Sequence, residues 1–328
     1  MGAATLPYAF PPPVMARLRT AVDIDPGLLA ENFTDPRVRE ELARTEILVT
    51  GWGCPPLDDS VLAAAPRLRA VLHAAGSVKT LITEACWRRG LLVSSAAAAN
   101  ALPVAEYTLG MILLAGKDLF AQRESYRTAR TFELGGIVPS IGNFGRRIGI
   151  VGASRIGRRV IELLRPFDFE VSLTDPYVDE AQAAALGVRL RGLYGADGLL
   201  ATSDIVTVHA PETPETHRLI GRRELALMPD GAVLINTARG SLVDTEALAD
   251  EARTGRVRAI LDVTDPEPLP ALSPLYDLPD IYLTPHVAGS QGNEIARLGL
   301  AVAAEAERLA AGLPLAHAVD HAALERAA

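Results

Sequence analysis

The chain has 328 residues, 49 % of them hydrophobic and 22 % charged, which excludes a disordered chain and leaves room for about two domains. Its formal net charge of −8 argues against a nucleic-acid-binding surface, although a few local arginines could still hold an anionic substrate. Cys54 and Cys86 have no metal-ligand spacing and fit a reducing compartment, and we read neither a basic leader nor an apolar run of membrane-spanning length. The expectation is a cytoplasmic protein with no membrane, no nucleic acid and no resident metal.

The first hundred residues alternate between two patterns. Ile47–Thr50, Ala70–His73 and Leu91–Ser94 are short apolar runs bounded by turn residues and read as strands, with helical spacing between them at Val61–Ala65 and Leu81–Arg89. Alternation of this kind predicts a parallel sheet flanked by helices. A long helical pattern then runs from Pro103 to Tyr126, with Pro103 in a first-turn position, and Arg130 to Arg146 reads as a linker rich in Gly and Pro.

The pattern next tightens around Ile148 to Val160. An apolar run ends in Gly152, a small-residue turn follows, and Gly157 opens a helix with Ile156, Val160, Ile161 and Leu164 on one face. Strand, turn and helix in this order aim backbone N–H groups and a helix N-terminus at a pyrophosphate. Phe169–Thr174 reads as the second strand, and Asp175 ends it 23 positions after Gly152, as a ribose-binding carboxylate would. Ser154 stands where a middle glycine is usual, so pyrophosphate approach should be tighter. The alternative is an ordinary βαβ unit whose glycines serve packing. Four more strands are predicted at Asp204–His209, Ala232–Asn236, Ala259–Val263 and Ile281–Thr284, making six in this part of the chain, and Asn293–Leu309 reads as an amphipathic helix with no strand after it.

Ligands of an open parallel sheet bind beyond the carboxyl ends of its strands. The residues just after each strand therefore belong together: His209, Ala210 and Pro211 with Thr216; Thr237, Ala238, Arg239 and Gly240; Asp262 and then Glu267 between two prolines; Pro285, His286 and Gly289. One arginine, one glutamate and one histidine thus gather at the edge of the glycine turn. The set suits carbonyl–alcohol redox on a carboxylate substrate. Arginine grips the carboxylate and polarises the neighbouring carbonyl. Histidine gives the oxygen a proton as hydride arrives at carbon, and glutamate fixes the histidine tautomer and keeps that proton available. Each of the three also has a bland reading, as a helix-capping arginine, a solvated loop carboxylate and a structural histidine. We read His209 as a cofactor-loop residue, and His73, His217, His317 and His321 as structural or solvated.

VGASRIGRRV, HAPETPETHRLI, LINTARGSLVD, LDVTDPEPLP and LTPHVAG, in this order, resemble the D-isomer-specific 2-hydroxyacid dehydrogenases. The resemblance implies a Rossmann-type doubly wound parallel sheet at residues 117–290, inserted into a smaller flavodoxin-like α/β substrate domain made of residues 1–116 and 291–328, with the active site in the cleft between them. It implies NAD as cofactor, a small 2-oxo or 2-hydroxy acid as substrate, and a homodimer through the cofactor domain. Carried over residue by residue, the catalytic set is Arg239, Glu267 and His286. The turn Gly152, Ser154, Arg155, Ile156 and Gly157 would hold the pyrophosphate, Asp175 the adenosine ribose, and His209, Ala210, Pro211 and Thr216 the adenosine side. Thr237, Ala238, Asp262 and Gly289 fall near the nicotinamide, and Asn100 and Thr108 match a segment where the interdomain helix touches the cofactor. The loop Ala74–Val78 resembles the family's carboxylate-binding loop, so Ala75, Gly76, Ser77, Asn100 and Arg239 are the substrate candidates, with Trp52, Gly53 and Cys54 lining the pocket. Lys79 replaces an acidic residue usual after that loop. Two other readings stay open: an NAD-sensing corepressor or scaffold with little turnover, and formate or phosphite oxidation, the latter weakened by Glu267 where formate enzymes carry glutamine.

Overall fold

The computed structural model describes residues 1–324. Within it the chain divides into two compact units, Met1–Ala101 with the chain from Ser290 onward, and Leu102–Gly289. The change of unit falls inside a helix, some way ahead of the expected boundary at residue 116.

The smaller unit has a three-stranded parallel sheet of β1 (Ile47–Thr50), β2 (Ala70–His73) and β3 (Leu92–Ser95), side by side in that order. This is a shorter sheet than a flavodoxin-like domain implies. β2 is buried along its whole length because helices cover both faces. On one face Val14, Leu18, Leu298, Val302, Ala306 and Leu309 pack together, joining the helices Pro12–Ala21 and Ile295–Ala310. The predicted C-terminal helix thus packs in this unit, and the chain after it runs along the free edge of β3, where Ala318 bridges Ser94 and Val319 N–H donates to Val93 O at 2.8 Å. The β1 edge differs: a cavity of about 700 Å³ lies beside it, lined by Leu6, Phe10, Leu29, Phe33, Leu42 and Leu48.

The larger unit has seven parallel strands: β4 (Arg147–Val151), β5 (Glu170–Thr174), β6 (Arg189–Leu190), β7 (Ile205–Val208), β8 (Ala232–Asn236), β9 (Val257–Leu261) and β10 (Ile281–Leu283). Their spatial order is β10-β9-β8-β7-β4-β5-β6, so the winding reverses between β4 and β7. That is one strand more than the six predicted, because β6 is a two-residue strand whose Arg189-Leu190 carries no apolar run. The β7 and β8 strands have no exposed residue, and their continuous apolar runs face helices on both sides.

The long helix also departs from expectation. It begins at Ala97 rather than Pro103 and ends at Gly116, with Pro103 inside it. The alanine run ahead of Pro103 has the best helix propensity available, which outweighs the backbone bond that proline forfeits. A second helix, Leu119–Ala129, starts after Asp118, whose left-handed φ of 50° breaks the pattern that ran on in sequence. By length and composition the first helix is long and apolar enough to cross a membrane, contrary to the sequence reading. Its Ala105, Ile112 and Ala115 pack in the core of the larger unit. The Arg130–Arg146 stretch does not link the two units. It folds back within the larger one: Gly142 N–H donates to Gly116 O at 2.7 Å, and Asn143 Nδ2 donates to Leu113 O at 3.1 Å.

Candidate active site

The glycine turn sits at the point where the sheet reverses. Gly152 has φ +98°, and a Cβ there would come within 2.7 Å of the Ala210 amide nitrogen, so only glycine lets the ends of β4 and β7 approach. Gly157 is as tight, since a Cβ would lie 2.1 Å from Gly152 O. Ser154 has a role that its place in the motif hid. Its Oγ accepts from Gly157 N–H at 3.3 Å and caps the helix Arg155–Leu164, so the side chain turns back onto the helix. The leading amides of that helix have no intrahelical partner and suit an anionic group. Asp175 ends β5 with both oxygens held by backbone, Oδ2 accepting from Ala153 N–H at 2.7 Å and Oδ1 from Tyr177 N–H at 2.8 Å. The Thr216 hydroxyl donates to Pro211 O at 2.6 Å and closes the loop after β7. His209 is buried, with Nε2 3.0 Å from Thr207 Oγ1 and Nδ1 without a partner. Burial pulls its pKa down to about 3. These features fit a dinucleotide.

Arg239, Glu267 and His286 follow β8, β9 and β10, three adjacent parallel strands, and their loops touch. A Cβ on Gly240 would lie 2.0 Å from Thr264 O, so this glycine seats the arginine loop on the loop that leads to Glu267. The Thr245 hydroxyl adds a bond to Asp265 O at 2.7 Å. His286 Nδ1 lies 3.1 Å from both Glu267 oxygens. Both side chains are about half exposed (54 % and 43 %), which leaves the outer edge of the imidazole open to a reactant. Arg239 Nη1 donates to Ala238 O at 2.6 Å.

One position that supports these loops, Asn236, was not singled out in the sequence, and two that were, Asp262 and Thr108, have partners there. Buried Asn236 accepts from Ala238 N–H at 3.0 Å and donates to Arg239 O at 2.8 Å, which shapes the arginine loop. Its signal was present: a polar residue closing an apolar strand must find partners. Asp262 accepts from Thr284 Oγ1 and from the amides of Val287 and Ala288, so its carboxylate anchors the histidine loop. Thr108 Oγ1 is 3.0 Å from Thr237 Oγ1, within the larger unit.

In the smaller unit Ala74 and Ala75 are buried at the end of β2, while Gly76 and Ser77 are more open. Asn100 faces Gly76, its Nδ2 being 3.5 Å from where a Gly76 Cβ would stand, and its Oδ1 accepts from Ser290 N–H at 3.0 Å. Ser290 Oγ is buried with no partner. Trp52 and Lys79 are exposed and Cys54 is half-buried.

Residues 109–288 match the family described as D-isomer specific 2-hydroxyacid dehydrogenase, NAD binding domain. The chain is similar to D-3-phosphoglycerate dehydrogenase of Mycobacterium tuberculosis, with 40 % identity over 257 residues, covering 77 % of this chain and 47 % of that protein. It thus spans about half the length of the curated relatives of that name that it matches. Glyoxylate reductase of Aeropyrum pernix is 33 % identical over 253 residues, covering 75 % of each chain. Among solved structures, a phosphoglycerate oxidoreductase from Rhizobium etli superposes with a TM-score of 0.80 at 25 % identity, covering 96 % of this chain and 95 % of that one.

Proposed function

This chain belongs to the D-isomer specific 2-hydroxyacid dehydrogenase family, and on that premise we propose that it interconverts a 2-oxo acid and a D-2-hydroxy acid. The observation that carries the reading is the His286–Glu267 pair at 3.1 Å, on loops fastened to that of Arg239. NAD, the cofactor of the family's matched domain, supplies or takes up the hydride. The turn Gly152–Gly157 would hold its pyrophosphate and Asp175 its adenosine ribose, with Ala210, Pro211 and Thr216 beside the adenosine and Thr237, Ala238 and Gly289 toward the nicotinamide.

In this reading the Arg239 guanidinium takes the substrate carboxylate through paired N–H···O bonds and draws electron density from the adjacent carbonyl. Within the smaller unit, the amides of Ala75, Gly76 and Ser77, with Asn100 beside Gly76, are a separate candidate carboxylate-binding loop. Glu267 accepts from Nδ1–H of His286, so Nε2 carries the proton that is transferred. In reduction, that proton goes to the carbonyl oxygen as carbon gains hydride. In oxidation, Nε2 takes it back. The relatives' names give one phosphorylated hydroxy acid, 3-phosphoglycerate, and one small oxo acid, glyoxylate.

An NADH-oxidation screen over glyoxylate, hydroxypyruvate, pyruvate and larger 2-oxo acids tests this. Turnover is expected with at least one, and His286→Ala should lower kcat by about 10²–10⁴-fold, the range of a lost general acid. Cofactor binding without turnover of any acid would overturn the enzymatic reading, and full activity in His286→Ala would overturn the proton donor.

We extend the proposal to a homodimer. Leu134, Ile137 and Phe144 are 88, 89 and 90 % exposed within one short stretch, an apolar surface that a second copy would remove from water. Sedimentation should give twice the chain mass, and Ile137→Asp with Phe144→Asp should give the single mass. A monomeric wild-type protein at micromolar concentration would contradict it.

A further inference from the structure

We propose that the Tyr107 hydroxyl is a positioning residue for His286, acting through Thr284 and the buried Asp262 carboxylate. The proposal rests on the reading of His286 as proton donor. Tyr107 lies on the helix Ala97–Gly116, and no motif drew attention to it.

His286 needs to be held. Its φ is +54°, in the left-handed region that residues other than glycine seldom occupy, so the loop keeps this shape only where its surroundings enforce it. Asp262 does most of the enforcing. Its backbone oxygen accepts from His286 N–H at 2.9 Å, and its carboxylate accepts from Val287 N–H at 2.8 Å and Ala288 N–H at 2.9 Å. Asp262 is 2 % exposed, where an ionised carboxylate must have its lone pairs satisfied. The remaining bond comes from the Thr284 hydroxyl, 2.6 Å from Oδ1.

That bond fixes the direction of the chain. An ionised carboxylate only accepts, so the single hydroxyl hydrogen of Thr284 is spent on Asp262. The Tyr107 hydroxyl, 2.7 Å from Thr284 Oγ1, must therefore donate to it. Burial raises the Tyr107 phenol above its ordinary range, which keeps the donor protonated. Hydrogen bonds thus run one way, from Tyr107 to Thr284 to Asp262, with the His286 loop closing on that carboxylate. Without the Tyr107 donor, Thr284 is free to turn its hydroxyl elsewhere. Asp262 then loses one of its three side-chain bonds, and the segment carrying His286 loosens against Glu267.

The next residue on the same helix does a matching job. The Thr108 hydroxyl donates to Val104 O at 2.8 Å, so Thr237, 3.0 Å away, must donate to Thr108. Two consecutive helix positions therefore touch the loop of His286 and the loop of Arg239. This pairing makes the helix a spacer between the two functional loops of the larger unit.

The test compares Tyr107→Phe, Thr284→Val and Thr284→Ser in the full chain, by steady-state kinetics with the best oxo acid, NADH titration, and imidazole nitrogen NMR of His286, assigned from its absence in His286→Gln. Tyr107→Phe should lower kcat about tenfold, with KM and NADH affinity within about twofold, as expected when a reacting group is misplaced while substrate and cofactor are still held. The fraction of His286 protonated at Nδ1 should fall with it. Thr284→Val should behave alike, Thr284→Ser should restore both readouts, and the Tyr107→Phe, Thr284→Val double variant should be no worse than the worse single. Unchanged kcat and an unchanged His286 spectrum in Tyr107→Phe would overturn the proposal, as would an equal loss of NADH affinity. If the wild-type protein reduces no oxo acid, the functional reading fails, and the His286 spectrum still decides the positioning claim.

Discussion

The two compact units use the same architecture to different depth. In the larger one, β7 and β8 are buried along their whole length, and the sheet is seven strands wide. In the smaller one, only β2 is fully buried, three of the four residues of β1 are half-buried, and a cavity of about 700 Å³ runs beside that strand. Packing at crystal-like density leaves a side chain nowhere to go, whereas a void lets its neighbours yield. The difference suits the division of labour: the loops that hold Arg239, Glu267 and His286 hang from the deeply buried sheet, where small displacements are resisted. It also makes the larger unit the stiffer partner, a contrast that substitutions can break.

The largest expected effect comes from adding one methyl group to a helix contact in each unit. In Gly157→Ala the new carbon would lie 2.1 Å from Gly152 O, with His209 Cβ at 3.3 Å behind it. In Gly299→Ala it would lie only 1.7 Å from Ala9 O. Proximity alone ranks the second as worse. The cavity reverses that order, because Leu6 and Phe10, on either side of Ala9, line it, and the short helix Leu6–Ala9 can retreat. We expect Gly157→Ala to cost about 3 kcal/mol or more and Gly299→Ala about 1 kcal/mol. Urea unfolding of both variants measures this, and a larger loss for Gly299→Ala would mean that the two units are equally stiff.

The same contrast explains what can be read from the chain alone. Strands buried on both faces, such as Ala232–Asn236, announce themselves as apolar runs, and their ends are legible to the residue. The β6 strand is not, because Arg189-Leu190 owes its place to pairing with Ser172 and Leu173, a tertiary fact with no local trace. The start of the Ala97–Gly116 helix is misread when Pro103 is given its usual position, since the alanines before it decide the matter. Arg239, Glu267 and His286 are visible as polar residues beyond strand ends among glycines and prolines. Tyr107 is not, since a tyrosine on an apolar helix looks like packing until the hydroxyl is traced to Thr284. Ser154 is legible as a small residue but not as a helix cap.

The smallest effect, and the sharpest probe of the contrast, is the acid sensitivity of one buried histidine per unit. His73 ends β2, with Nδ1 2.8 Å from Thr50 Oγ1, and its pKa is lowered to about 4 by burial first and by the chain-terminal ammonium second, against a hydrogen bond from the imidazole to the Ser77 backbone that favours the charged form. His209, in the larger unit, is lowered to about 3 by burial alone. Both stay neutral in the folded chain while the unfolded chain takes up a proton near pH 6.5. Stability contributed by each is therefore complete above about pH 6.5 and falls as the pH drops, until the folded pKa is reached and the loss stops. The loss from His73 should end near pH 4 and that from His209 nearer pH 3, so the acid-induced loss is the larger for His209. Unfolding free energies measured from pH 7 down to pH 3 for His73→Gln and His209→Gln resolve it. Each variant should lose one proton of acid dependence, over the shorter range for His73→Gln. Equal ranges would indicate that the smaller unit excludes water from its histidine as completely as the larger one does, and that the open edge of β1 does not soften the core behind it.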